Sequence, residues 1–388
     1  MNRLQDRAPN EEQRLRLEAD LAARMATLFR RCPSLYGFSV QEGSKVTRER
    51  AVDQLNSDLY LADLACHPLL DEEHCAEVCE VVSHTLLELV DELKPDALME
   101  RYYNFGGEGI LAAEAARVPS LLEVNSPVVD HLESLKAVLD ALLIVRPMRA
   151  YRDNLVRSAS ALIAPIKEIV PEFARTKTHT VTWGANVEAF HPSRRSDALR
   201  ASWGASPETT VILFSGSHRP WHGVANLQAA ARLLKDRADL MFVLAGGKKE
   251  GIATDFRGRT LGRVPYRDMP EVTASADISV APYDRSRLRS LKLGFFWSPL
   301  KIFEALASGV PTITIDVQPL NEIVREGREG VFFKENDPAD LARVITSLAS
   351  DRDRRLVMAK NARDRAPQFS WAAHAAQVES ILMGMWAA

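Results

Sequence analysis

The sequence predicts an α/β protein built from two doubly wound, parallel-sheet domains. Three observations predict it. The chain has 388 residues, enough for two domains with a core each. Its second half alternates short β-branched runs with helical patterns, the signature of parallel strands joined by crossover helices. The third is one stretch, Ser298-Pro299-Leu300-Lys301-Ile302-Phe303-Glu304-Ala305-Leu306-Ala307-Ser308-Gly309-Val310-Pro311, followed by the apolar run Thr312 to Ile315. Pro299 suits a first helical position. Ile302, Phe303, Leu306 and Ala307 recur at helical spacing, Ser308-Gly309 offers a left-handed stop, and Pro311 forbids continuation. The run after it reads as a buried strand.

Bulk composition narrows the function. A net charge of −3 argues against a nucleic-acid binder, and 26% charged with 46% apolar residues is an ordinary globular balance. Four cysteines (Cys32, Cys66, Cys75, Cys79) are too few for a disulfide scaffold and suit a reducing cytoplasm. His74-Cys75 with Cys79 lacks a second cluster at metal-finger spacing and reads as one face of a helix. The charged start does not read as a secretory signal, and no apolar run is long enough to span a bilayer. The expected location is the cytoplasm, with a peripheral contact at the inner membrane face compatible with the leading amphipathic helix.

In order, that helix is Asn10 to Arg31, with Leu17, Leu21, Met25 and Leu28 on one side. Tyr36 to Val40 reads as a short strand. A strong helix runs from Glu77 to Leu93 and a strand from Ala97 to Glu100. Tyr103 to Gly109 is a loop, Ile110 to Arg117 a helix and Ser120 to Val124 a strand. Glu123 and Asn125 stand at that strand's carboxyl end, where open α/β sheets bind ligands. His131 to Ser158 reads as helix interrupted near Pro147. Strands follow at Ser160 to Ala164 and His179 to Trp183. In the second half, strands are expected at 211–215, 240–245, 260–264, 278–281, 312–315 and 330–333. Helices are expected at 224–234, 269–276, 320–325, 338–349, 352–366 and 371–386.

Two places carry chemistry. The helix after Ser298 begins with unpaired N–H groups and the positive end of its dipole, an anion site. Lys301 adds a cation there, and Glu304, a turn deeper, can accept hydrogen bonds from vicinal hydroxyls. Phosphate at the tip and a diol behind it outline a nucleotide. Phe214-Ser215-Gly216-Ser217-His218-Arg219-Pro220-Trp221-His222-Gly223 follows a strand and opens a helix, the place for a phosphate loop, and Gly216 and Gly223 permit close backbone approach. Tyr283 to Leu293 adds a basic loop with Arg285, Arg287, Arg289 and Lys292.

These motifs resemble those of the retaining GT-B glycosyltransferases of family four, the group 1 enzymes. The family's Glu, seven residues, Glu, then Ala-x-Ala-x-Gly-x-Pro-Val places its second Glu, which binds the donor ribose, at Glu304. Its first Glu falls at Phe296, and its Gly-Leu pair at Pro299-Leu300. Ser298, Pro299 and Leu300 are thereby implied in holding the diphosphate or donor sugar. The family's Gly-Arg-x-x-x-x-Lys-Gly loop puts Ser217 and His222 at its two cationic positions, so the resemblance implies that Arg219 and Lys301 supply the charge, with Gly216, Ser217 and His222 lining the loop. Leu261 to Pro270 is similar to the segment edging the base, which implicates Arg263 and Val264. Asn125 stands where an N-domain His often lies. Gly184 to Pro192 resembles the family's interdomain junction, setting domains at 1–193 and 194–368, and 369–388 resembles the final helix that crosses back.

The implied fold is GT-B, two Rossmann-like domains facing a cleft. The implied activity is transfer of a sugar from a nucleotide-diphosphate-sugar donor to the hydroxyl of a glycan, lipid or small-molecule acceptor, with retention and without a metal or other cofactor. Two other readings are an inactive nucleotide-binding scaffold and a nucleotide-sugar epimerase on the same fold.

Overall fold

The computed structural model describes residues 86–102, 107–129, 146–247 and 255–386. The leading helix, the strand at 36–40, the His74–Cys79 cluster and the helical stretch 131–145 lie outside these residues.

After a helix that ends at residue 93, the first domain contains β1 (Leu98–Arg101), α1 (Glu108–Ala116), β2 (Ser120–Glu123), α2 (Arg146–Ser158), β3 (Ala161–Ala164) and β4 (Thr178–Thr180). Its described strands form a parallel sheet in the order β1-β2-β3-β4. Pro147 is the second residue of α2, where its missing N–H costs nothing.

The second domain runs through α3 (Asp197–Trp203), β5 (Thr210–Ser215), α4 (Val224–Leu233), β6 (Leu240–Ala245), β7 (Gly258–Gly262), α5 (Met269–Ala274) and β8 (Ile278–Val280). It continues with α6 (Leu300–Ala307), β9 (Thr312–Ile315), α7 (Leu320–Ile323), β10 (Gly330–Phe333), α8 (Pro338–Ser350) and α9 (Arg352–Arg365). Its described strands are all parallel, in the order β10-β9-β8-β5-β6-β7, with helices on both faces. The order reverses beside β5, so the loop after β5 opens at a switch point.

Burial follows the expected logic. The central strands β5 and β6 are buried along their whole length. In α6, Ile302, Phe303, Ala305, Leu306 and Ala307 are all buried. A fully buried Leu, Ile or Phe contributes about 1.5–3 kcal/mol, so α6 is held by its position in the core rather than by its own propensity. Pro299 is the N-cap of α6 rather than its first helical residue: with φ −82° and ψ 68° it sits outside the helical region, and the turn is closed by Leu300 N–H donating to Ser298 O at 2.9 Å.

The domains are joined twice. The segment after β4 passes beside the chain that enters α10 (Trp371–Trp386). Ala185 N–H donates to Phe369 O at 2.8 Å, and Trp371 N–H donates to Ala185 O at 3.2 Å. Helix α10 then lays Val378, Ile381, Leu382 and Met385 on Leu121, Ala161, Ile163 and Val181 of the first sheet. Phe369 stacks on Phe303 of α6 at 4.9 Å, and one Arg363 nitrogen donates to the carbonyls of Val187, Phe190 and Ala307. Gly184 makes the crossing possible, because a Cβ there would run into the backbone of Ser370 and Trp371. Gly184→Ala should therefore lower the unfolding free energy by about 1–3 kcal/mol through overpacking, read from the urea midpoint.

Candidate functional site: a buried ammonium between a glycine loop and a helix start

The loop after β5 and the start of α6 meet at Lys301. Its Nζ is fully buried and has no hydrogen-bond partner among the described residues. It rests instead on ring faces, 4.5 Å from the Phe214 centroid and 5.1 Å from that of Tyr283. Cation–π contact of this kind holds an ammonium without satisfying its donors. Burial therefore dominates and pushes the Lys301 pKa down to about 7, with Glu304 pulling the other way.

Gly216 borders the ammonium directly. Its φ is 131°, and a Cβ there would stand 2.9 Å from Lys301 Nζ. Gly246, at the end of β6, is equally constrained, since a Cβ would meet the Gly216 carbonyl. The first turn of the loop is thus packed backbone to backbone, and Gly216 N–H donates to Ala245 O at 2.9 Å.

Two histidines of the loop stand close to the same ammonium. His222 Nδ1 lies 3.2 Å from Ser217 Oγ and contacts the Ser217 carbonyl. Burial, then the nearby Lys301 charge, pushes its pKa down to about 4, so the ring is neutral. His218 is a site residue that the sequence reading passed over. Its Nε2 is buried with no hydrogen-bond partner among the described residues, and burial and Lys301 lower its pKa. Gly247 makes room for it, because a Cβ there would enter the imidazole. Arg219, by contrast, is exposed on the loop and forms no side-chain pair among the described residues.

Glu304 sits one turn below Lys301 and is 9% exposed. Burial raises its pKa to about 7, opposed by the Tyr266 hydroxyl and by Lys301. Tyr266, whose own pKa rises to about 12, is 61% exposed and stands just after Arg263, Val264 and Pro265. Arg263 is exposed and Val264 half-buried there. Phe296, at the position of the resemblance's first Glu, is 1% exposed and packs against Trp297, which in turn stacks on Trp221 at 4.1 Å. That wall is aromatic and offers no carboxylate.

Other expected cations are occupied. Arg285 pairs with Glu335 at 2.9 Å and Arg287 with Asp284 at 3.3 Å, so most of the basic loop's arginine charge is neutralised within the domain. The partner of Arg285 lies 50 residues away, beyond any local motif. In the first domain, Asn125 stands beyond β2 with its Nδ2 buried and without a hydrogen-bond partner among the described residues. Trp183, also passed over by the sequence reading, bridges to the start of α6: its backbone N–H donates to Ser298 Oγ at 2.9 Å, and its indole N–H to Glu123 Oε1 at 2.7 Å.

A buried, unpaired ammonium costs stability until an anion arrives. Lys301→Met, which keeps the volume and removes the charge, should raise the unfolding free energy of the ligand-free protein by about 1–2 kcal/mol while abolishing stabilisation by nucleoside diphosphates, both read by thermal shift.

Residues 195–365 match the family model of glycosyl transferases group 1. The chain is 32% identical over 218 residues to a D-inositol 3-phosphate glycosyltransferase of Corynebacterium kroppenstedtii, covering 51% of this chain and 46% of the relative. It is 27% identical over 337 residues to the enzyme of that name from Streptomyces scabiei, covering 81% and 74%. The chain spans about half the length of the Corynebacterium relatives it matches. Among solved structures, sucrose-phosphate synthase of Thermosynechococcus elongatus aligns with a TM-score of 0.59 at 17% identity, over 82% of each chain. Anabaena HepE in complex with UDP-glucose aligns with a TM-score of 0.55 at 18% identity, over 89% of this chain and 98% of that one. The fold is that of the GT-B glycosyltransferases, and residues 195–365 are similar to the group 1 glycosyl transferases.

Proposed function

We propose that the protein transfers a hexosyl or related sugar from a nucleotide-diphosphate-sugar donor to an acceptor hydroxyl, with retention of anomeric configuration. The observation that carries this reading is the unpaired Lys301 ammonium, buried against a glycine loop one helical turn above a buried carboxyl. Such a pair matches a diphosphate and the ribose behind it.

In this reading Lys301, the Ser298 amide and the His218 and His222 imidazoles meet the diphosphate, with Arg219 and Ser217 at the loop's open side, while Leu300 N–H stays on Ser298 O and keeps the turn closed. Pro299 has no N–H to give and shapes the turn. As the sugar–phosphate bond breaks, negative charge builds on the leaving phosphate, and donors already in place stabilise it without reorganising. Because these donors offset the charge, the reading requires no divalent cation. Glu304 holds the ribose hydroxyls, and Arg263 with the Val264 backbone edges the base. The departing phosphate takes the proton of the acceptor hydroxyl as that oxygen bonds to the anomeric carbon on the face the phosphate leaves. Asn125 lies on the acceptor side and orients that hydroxyl. The names of the curated relatives make a phosphorylated cyclitol the first acceptor to try, and the UDP-glucose complex of HepE makes UDP-glucose the first donor.

Burial of Phe296 favours a second reading, a scaffold that binds nucleotide without turnover, because no carboxylate stands at that position. A thermal-shift panel with UDP, GDP, ADP and their sugar conjugates tests both. A ligand at a hundredfold excess over its Kd stabilises by about 2.7 kcal/mol, an easily seen shift. No shift with any of them would sink the donor site. A shift without release of sugar or transfer would leave the scaffold. In a transferase, Glu304→Ala should cost at least tenfold in donor affinity, about 1.4 kcal/mol, and a comparable factor in turnover; in the scaffold only the affinity moves.

The pH dependence follows from the two shifted groups. Donor binding needs the Glu304 carboxylate, whose raised pKa of about 7 removes it as pH falls. It also needs the Lys301 ammonium, whose lowered pKa of about 7 removes it as pH rises. Affinity for a nucleotide sugar should therefore peak near pH 7 and fall on both sides, as a coupled pair does. Calorimetric titration should show Glu304→Gln removing the acid limb and keeping the alkaline one.

A further inference from the structure

We propose that Trp183 is the positioning residue through which the first domain holds the phosphate-binding turn of the second, so that nucleoside-diphosphate affinity depends on a side chain outside the nucleotide domain. The inference rests on the donor-site reading above and extends it to the domain interface.

The geometry is a relay. The indole N–H of Trp183 donates to Glu123 Oε1 at 2.7 Å, and the Arg101 guanidinium lies 4.7 Å over the ring. Glu123 and Arg101 are the paired last residues of β2 and β1, so the ring is held by the end of the first sheet. Two residues later, Ala185 is locked between Phe369 and Trp371. With the side chain and the following backbone both fixed, the Trp183 N–H has a defined direction, and it points at Ser298 Oγ, 2.9 Å away. Ser298 O accepts from Leu300 N–H and so closes the turn into α6. Since Pro299 cannot donate, the aim of the remaining amides depends on where Ser298 is held. Accepting from Trp183 also leaves the Ser298 hydroxyl proton free to donate toward a ligand.

This differs from a plain domain staple in what it controls. A staple would contribute stability alone; a relay also sets the position of donors whose value depends on sub-ångström placement. Glu123, Trp183 and Ser298 lie on three separate chain segments, and each link in the relay is a single hydrogen bond, so the links can be cut one at a time.

The test uses the full chain with Glu123→Ala, Glu123→Gln, Trp183→Phe and Ser298→Ala. The probes are whichever of UDP, GDP and ADP stabilises the wild type most, and the matching nucleoside without phosphate. Glu123→Ala and Trp183→Phe should each weaken diphosphate binding about tenfold and leave nucleoside binding within about twofold. Glu123→Gln should restore it, because its amide oxygen still accepts the indole N–H. Combining Glu123→Ala with Ser298→Ala should add little, since both cut one path. Hydrogen exchange of residues 297–303 without ligand should speed up in Glu123→Ala and stay unchanged in Glu123→Gln. Equal weakening of nucleoside and diphosphate, no rescue by Gln, or unchanged exchange would each overturn the proposal. If the wild type binds none of the nucleotides, the donor-site reading fails, while the exchange result still decides whether Trp183 positions the turn.

Discussion

The second domain is organised around one buried ammonium whose hydrogen-bond donors have no partner among the described residues. Lys301 is buried against aromatic faces with its donors unused, and burial brings its pKa close to neutrality. An isolated charge in such a place is tolerated only if the surrounding structure is stable enough to carry it. The six-stranded parallel sheet supplies that stability: β5 delivers the glycine loop, α6 delivers the lysine, and both are anchored by fully buried apolar side chains. Burial, and then the same charge, lowers the pKa of the neighbouring imidazoles, so both are biased away from adding a second positive charge.

The neighbours of this charge were unevenly legible in the sequence. Lys301 and Glu304 were readable because both depend on local rules: a helix start, a helical turn, and a terminating Gly-Pro pair. The β/α alternation was readable for the same reason, with strand and helix ends displaced by one to three residues. Helix α3 was not anticipated, although Ser196 caps it by accepting from Leu199 N–H and Gly204 ends it in the left-handed region. Its seven residues are too few for periodicity to show. Pro299 stands just outside the helix instead of at its first position, since tertiary packing at Ser298 decides where the turn closes.

What escaped the sequence depends on distant partners. The basic loop after Tyr283 looked like free positive charge, yet Glu335, 50 residues on, occupies Arg285. His218 looked like one more polar loop residue until Gly247, from the next strand end, left room for its ring. Trp183 looked like a strand terminus, and its partner hydroxyl is 115 residues away. None of these has a local pattern. The one usable hint for His218 was the Gly246-Gly247 pair, since two adjacent glycines after a buried strand signal close approach by something else.

The double passage at Ala185 and Ser370 has a mechanical consequence. Two covalent connections lying side by side forbid the domains to slide or separate, but leave them free to turn about the line on which the connections cross. Residues near that line barely move when the domains rotate, while those at the rim travel far. Trp183 is two residues from the crossing, so its bonds to Glu123 and Ser298 sit close to the pivot. A rotation about that line would change the distance between the domain rims while leaving the Trp183–Ser298 contact in place.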